Sequence, residues 1–260
     1  MKKIFIAGHK GMVGSAIFRK LKNNPNKIFI ADKKKLNLLN QKSVLSFFKR
    51  NKFNEVYLCA AKVGGIHANN TYVADFIYQN LEIQNNLIHS AYLTKVKKLM
   101  FLGSSCVYPK KPKIPIKEEY LLSSELENTN EMYAIAKIAG LKMCKAYNTQ
   151  FKTDFRAVMP TNLYGKNDNY DNLNSHVLAA LIKKIVLAKK KNRKSFHSNV
   201  EFGKSEIKPF STVRPIKHSM GLSLIYGCSP FGVYPYPFPR VNGGSFHPRS
   251  RYGLRSSSGT

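Results

Sequence analysis

The sequence predicts an α/β fold, a doubly wound parallel sheet, and three observations carry that expectation. Short apolar runs alternate with longer amphipathic stretches, the pattern of parallel strands joined by crossover helices. The first run leads directly into a glycine-rich turn and then a helix-period stretch, as the first unit of such a sheet does. The 260 residues, 43% of them hydrophobic, suffice for one large domain, or a domain with a smaller attachment, around a real core.

In chain order, residues 2–7, 27–31, 55–61, 98–103 and 155–159 read as buried strands, because each is short, apolar and bounded by charges or turn formers. Residues 12–23, 41–50, 72–92 and 131–151 between them carry apolar side chains at helical spacing. The expected division is a dinucleotide-binding domain over residues 1–165 and the start of a substrate-binding part over 166–203. A charge run, Lys189-Lys190-Lys191-Asn192-Arg193-Lys194, precedes one more candidate strand at 199–203. Residues 204–260 hold seven of the twelve prolines and a single acid, Glu206, and read as an irregular basic tail.

Composition narrows the function classes. Forty-three Lys and Arg against 14 Asp and Glu give a net charge of +29. The lysines are spread through every segment among abundant Asn and Ile, and no nucleic-acid module accompanies them, so no nucleic-acid partner is expected. The apolar run at the N-terminus stops at His9-Lys10, too short for a signal peptide, and no stretch is long enough to span a membrane. A cytoplasmic protein is expected. Cys59, Cys106, Cys144 and Cys228 are too few and scattered for a disulfide framework, and no pair has metal-ligand spacing.

Two constellations carry chemistry. Gly8-His9-Lys10-Gly11-Met12-Val13-Gly14 joins the first strand to the first helix, where glycines permit a tight turn and a close backbone approach to a pyrophosphate. Asp32, eighteen residues past Gly14, suits a ribose 2′-hydroxyl and NAD, whereas Lys10 and Lys33-Lys34-Lys35 suit the 2′-phosphate of NADP. The second constellation is Tyr133-Ala134-Ile135-Ala136-Lys137, a phenol and an ammonium on one helix face. The cation is expected to lower the phenol's pKa and fit it for proton transfer. Gly103-Ser104-Ser105-Cys106 ends the fourth strand at the sheet's carboxyl edge, placing a serine hydroxyl where it can share a substrate carbonyl with the tyrosine.

Together these residues resemble the extended short-chain dehydrogenase/reductase superfamily, with its Rossmann-type sheet, and within it the GDP-L-fucose synthase family. The likeness runs through Phe5–Ile17, Ala60-Ala61-Lys62-Val63-Gly64-Gly65-Ile66, Ala68-Asn69-Asn70-Thr71-Tyr72, Leu102 to Pro109, Thr129-Asn130-Glu131, Tyr133 to Gly140, Met159 to Gly165 and Asn174-Ser175-His176-Val177. It implies an NADPH-dependent enzyme that converts GDP-4-keto-6-deoxy-mannose to GDP-L-fucose by 3,5-epimerisation and then 4-keto reduction. On that resemblance Ser104, Tyr133 and Lys137 form the reductase triad, while Cys106 and His176 exchange protons on opposite faces of the sugar. Cofactor contacts map to Gly8, His9, Lys10, Gly11, Met12, Val13, Gly14, Lys33, Leu102, Gly103, Ser104, Ser105, Lys137, Pro160, Thr161, Asn162, Leu163 and His176. The basic residue at Lys33 favours NADP, and Lys184 matches a nucleotide-sugar contact. The resemblance also implies a homodimer built on the two long helices.

Past residue 188 the family's Trp-Gly-Ser-Gly strand has only the echo Val200-Glu201-Phe202-Gly203, and its Arg-Glu-Phe-x-x-Val-Asp-Asp segment has no counterpart. The expectation is a truncated small substrate domain, from a frameshifted, truncated or fused chain whose turnover is impaired. The competing readings are a non-catalytic dinucleotide-binding remnant and another nucleotide-sugar epimerase or reductase of the extended superfamily.

Overall fold

The computed structural model describes residues 1–171, 175 and 177–192. Five parallel strands, β1 (Lys3–Ala7), β2 (Lys27–Phe29), β3 (Glu55–Leu58), β4 (Lys98–Leu102) and β5 (Phe155–Val158), form one sheet in the order β2-β1-β3-β4-β5. Phe5 is in register with Phe29 on one side and Val56 on the other, and Leu99 with Val56 and Phe155. The helices among the described residues are α1 (Met12–Leu21), α2 (Gln41–Asn51), α3 (Ile66–Thr71), α4 (Val73–Leu93), α5 (Glu131–Phe151) and α6 (Val177–Lys190). The chain lays β2 to one side of β1 and β3 to the other. The loops leaving β1 and β3 therefore part at the carboxyl edge and open a crevice there.

Strand alternation divides the core between the two faces of the sheet. Phe5 and Ala7 point with Val56, Leu58, Leu99, Phe101 and Phe155 into the main cluster, which α2, α4 and α5 close with Val44, Phe48, Leu87, Ile88 and Leu141. Phe5 anchors an aromatic knot, its ring centroid 5.1 Å from Phe53 and 5.8 Å from Phe48. Ile4 and Ile6 point the other way and meet Ile17 of α1. Helix ends follow local rules: Asn40 caps α2 by accepting from the Ser43 N–H at 2.8 Å, and left-handed Lys152 ends α5.

All five expected strands are present, each one to three residues shorter than expected; β1 lacks Lys2 at its start, and the other four end early where the backbone leaves the ladder at the carboxyl edge. Cys59 and Ala60 are already loop. The expected helix over 72–92 is α4, and α3 is an addition: Ile66-His67-Ala68-Asn69-Asn70-Thr71 has too few apolar residues to show a period. The lysine run begins inside α6, whose last turn it favours through the helix dipole. The candidate strand at 199–203 and the tail at 204–260 lie outside the described residues.

Candidate active site

The loops at the carboxyl edge line an open cavity of about 1700 Å³. At its floor, Gly8 has φ +87°, and a Cβ there would stand 2.7 Å from the Ala60 nitrogen. A Cβ on Gly14 would fall on the Gly8 carbonyl oxygen. Both positions thus need glycine, one for its left-handed backbone and one for the contact of helix and turn. The Gly11 N–H closes the turn on the Gly8 carbonyl at 3.0 Å, and no side chain caps α1. The first amides of that helix face the cavity beside Lys10, an arrangement that receives a pyrophosphate.

At the end of β2, Asp32 is paired on a single oxygen. Its Oδ1 lies 3.0 Å from the Lys10 ammonium and 3.2 Å from His9 Nε2. The Lys10 hydrogen bond holds the Asp32 carboxyl below its ordinary range, opposed by partial desolvation and aided by the charge of His9. Lys33 and Lys34 line the same end of the cavity. The glycine cradle fits a dinucleotide, and the acid where the adenosine ribose belongs is already engaged by Lys10 and His9.

Two loops of the wall are fastened to α4. Asn80, buried, accepts from the Lys62 N–H at 2.9 Å and donates to the Lys62 carbonyl at 3.0 Å, fixing the loop that leaves β3. Asn86, also buried, donates to the Leu38 carbonyl at 2.9 Å and fixes the loop that follows β2. A hydrophobic-period reading misses both, because it treats a helix's polar residues as its solvent face.

Ser104, Cys106 and Tyr133 come together on the opposite wall. Ser104, two residues past β4, lies beside the Tyr133 phenol, and its Oγ accepts from the Cys106 N–H at 3.3 Å. Lys137 is one turn further along α5 but does not reach the cavity wall. It is buried behind it, its Nζ donating to the Leu102 carbonyl at 2.8 Å and lying 4.9 Å from the Phe101 ring centroid.

The expected lowering of the tyrosine's pKa is overturned. Burial pushes the Tyr133 phenol up, the neighbouring Cys106 adds to the rise, and the Ser104 hydrogen bond only partly offsets it. Lys137 sits over the ring, 5.7 Å from its centroid, and burial lowers its own pKa to about 8. Desolvation is thus the first cause of both shifts. Cys59 lines the cavity too, but burial pushes its thiol up to about 12, which leaves it unreactive. Cys144 is buried in the core, as a packing residue should be.

Gly8, His9, Lys10, Gly11, Met12, Val13, Gly14, Lys33, Leu102, Gly103, Ser104, Ser105, Pro160, Thr161, Asn162 and Leu163 all line the cavity, and so does Lys184 from α6. His176 lies outside the described residues. Two further wall residues, Asn69 and Asn130, carry no site role in the sequence reading, although both lie in the quoted motifs. Asn130 Nδ2 donates to Cys106 Sγ at 3.5 Å, and Asn69 Nδ2 donates to the Gly64 carbonyl at 2.8 Å. Among the described residues no His, Cys, Asp and Glu cluster could hold a metal ion, and no helix is long and apolar enough to cross a membrane.

A glycine cradle after β1 and a Ser/Tyr pair backed by a buried lysine stand at one carboxyl edge of a parallel sheet, where sheets of this class bind dinucleotides. The chain belongs to the NAD dependent epimerase/dehydratase family, whose model matches residues 4–204. It is 55% identical over 184 residues to GDP-L-fucose synthase of Escherichia coli, covering 70% of this chain and 57% of that one. It is 58% identical over 191 residues to putative GDP-L-fucose synthase 2 of Arabidopsis thaliana, covering 73% and 58%. Among solved structures, a Campylobacter jejuni GDP-6-OMe-4-keto-L-xylo-heptose reductase superposes with a TM-score of 0.69 at 46% identity, covering 72% of this chain and 54% of that one. A Naegleria fowleri GDP-L-fucose synthetase bound to NADP also gives 0.69, at 29% identity, covering 74% and 60%. The chain thus spans less than two thirds of the length of these relatives.

Proposed function

We propose that this chain binds NADPH and acts on a GDP-linked 4-keto-6-deoxy sugar, in the 3,5-epimerisation and 4-keto reduction that yield GDP-L-fucose. One observation carries the reading: Ser104, Tyr133 and Cys106 meet on one wall of the cavity that the glycine loop floors. The identities of 55% and 58% to GDP-L-fucose synthases support the choice of substrate. The Naegleria relative's bound NADP and the cations at Lys10 and Lys33 support the cofactor.

Gly8 to Gly14 would hold the pyrophosphate, Lys10 and Lys33 the 2′-phosphate, and Leu102 to Ser105 with Pro160 to Leu163 the nicotinamide end. When bound, the cofactor supplies a hydride. Ser104 holds the substrate's 4-keto oxygen and Tyr133 gives it a proton as the alkoxide forms. A phenol whose pKa burial has raised keeps that proton until then. The same carbonyl acidifies the hydrogens at C3 and C5, and Cys106, on the wall beside it, moves a proton there. The second acid/base role belongs by resemblance to His176. Residues 1–165 make the dinucleotide domain, 166–203 begin the substrate part, and Lys184 contacts the nucleotide. The setting is cytoplasmic, and the outer faces of α4 and α5, with Tyr78, Leu93 and Phe151 exposed, pair two copies.

The test is a fluorescence titration with NADPH, then incubation with GDP-4-keto-6-deoxy-mannose in D2O. The expected results are saturable binding, deuterium at C3 and C5, and NADPH consumption. Absence of NADPH binding would refute the reading. Binding without deuterium entry or reduction identifies a dinucleotide-binding remnant instead.

A further inference from the structure

Asn130 stands at the N-cap of α5, where an asparagine ordinarily turns its carbonyl oxygen onto an amide of the first turn. It makes no such bond. Its Nδ2 instead donates to Cys106 Sγ at 3.5 Å, twenty-four residues away in sequence. Its Oδ1 is buried and has no hydrogen-bond partner among the described residues. The side chain has been withdrawn from the structural task its position offers and given to a thiol on the cavity wall. It lies one helical turn before Tyr133, so the same face of α5 presents both groups to the cavity.

We propose that Asn130 is a positioning residue for Cys106, resting on the reading of that cysteine as an acid/base group. The amide N–H fixes the sulfur on the wall that carries Ser104 and Tyr133. A nitrogen donor bonds more strongly to a charged sulfur than to a neutral thiol, so the sulfur is held in place at the moment a proton moves.

Capping and positioning make opposite demands, which gives the test. Aspartate and serine cap helices as well as asparagine does, but neither supplies the amide donor. The chain and its N130D, N130S and N130Q variants would be melted by circular dichroism. Each would then be treated with iodoacetamide at pH 7.5, with alkylation of the Cys106 peptide followed by mass spectrometry. N130D should melt at or above the parent temperature, yet its Cys106 should react about threefold to tenfold more slowly, since only the thiolate attacks. N130Q, which keeps an amide donor, should recover most of the rate. If N130D does not fold, N130S carries the same comparison. An unchanged or faster reaction in N130D overturns the proposal, as does slowing that simply tracks a lower melting temperature in every variant. Alkylation needs no substrate, so the two readings fail separately. Slower alkylation without deuterium exchange keeps the positioning role and removes the function; exchange with unchanged alkylation does the reverse.

Discussion

Lys10 is held on Asp32 at 3.0 Å with His9 on the same oxygen, so the residues proposed to choose between cofactors form one charged group. A 2′-phosphate adds charge at a place where Lys10 and Lys33 line the cavity. Charge-assisted hydrogen bonds of this type contribute about 1.5–3 kcal/mol each. Lys10→Ala with Lys33→Ala should therefore weaken NADPH at least tenfold more than NADH in paired fluorescence titrations. Equal loss for both would leave Asp32 as the selector. Tyr133→Phe removes the proposed proton donor and leaves Cys106 in place. It should abolish NADPH oxidation while deuterium still enters C3 and C5 of the substrate, followed by NMR; loss of both would give the tyrosine a part in epimerisation. The site residues on motifs, Ser104, Tyr133 and Cys106, were legible in the sequence. Asn130 was not, because its reading depends on where a neighbouring turn delivers a sulfur.

At the level of elements, α4 serves as a frame for the cavity. Its buried Asn80 closes two hydrogen bonds to the backbone of Lys62, and Asn86 reaches the Leu38 carbonyl. Asn80→Leu should leave the Lys62 amide and carbonyl without partners, at a cost of about 1–3 kcal/mol in urea unfolding. The freed loop should also weaken NADPH binding, since it forms the wall beside the glycine turn. Loss of stability with unchanged affinity would confine Asn80 to packing. The helix itself was visible in its apolar period. Its polar residues point inward because β3 and β2 end there and leave backbone groups that only side chains can satisfy.

For the whole molecule, the buried ionisable groups set the response to pH. Burial holds Lys137 at about 8 against an ordinary 10.5, so between those values the folded chain has released a proton that the unfolded chain keeps. Stability should rise with pH across that interval. Cys59 and Cys144, both pushed up to about 12 from 9.0 by burial, act with the opposite sign as pH nears and passes 9.0. From pH 8 to 9 Lys137 adds about 1 kcal/mol, and the two cysteines, ionising in the unfolded chain, already offset most of it, so the melting temperature should climb by only about 1 °C. It should then fall at higher pH. Lys137→Met should remove the climb and keep the fall; a climb that persists would place its origin elsewhere. The net charge of +29 adds a field that draws in anions, and both proposed ligands are polyanionic.

The sequence by itself determined the strand and helix alternation, the glycine cradle and which motif side chains line the cavity. Those features rest on local rules: apolar period, turn chemistry and i to i+4 spacing. Only the tertiary structure decided the sign of the Tyr133 shift, the burial of Lys137 behind the wall, the Lys10–Asp32–His9 group and the bond from Asn130 to Cys106. Each of these depends on how much water is left around a group and on which distant segment faces it. Desolvation and non-local contact are properties of the packed sheet, and no spacing along the chain encodes them.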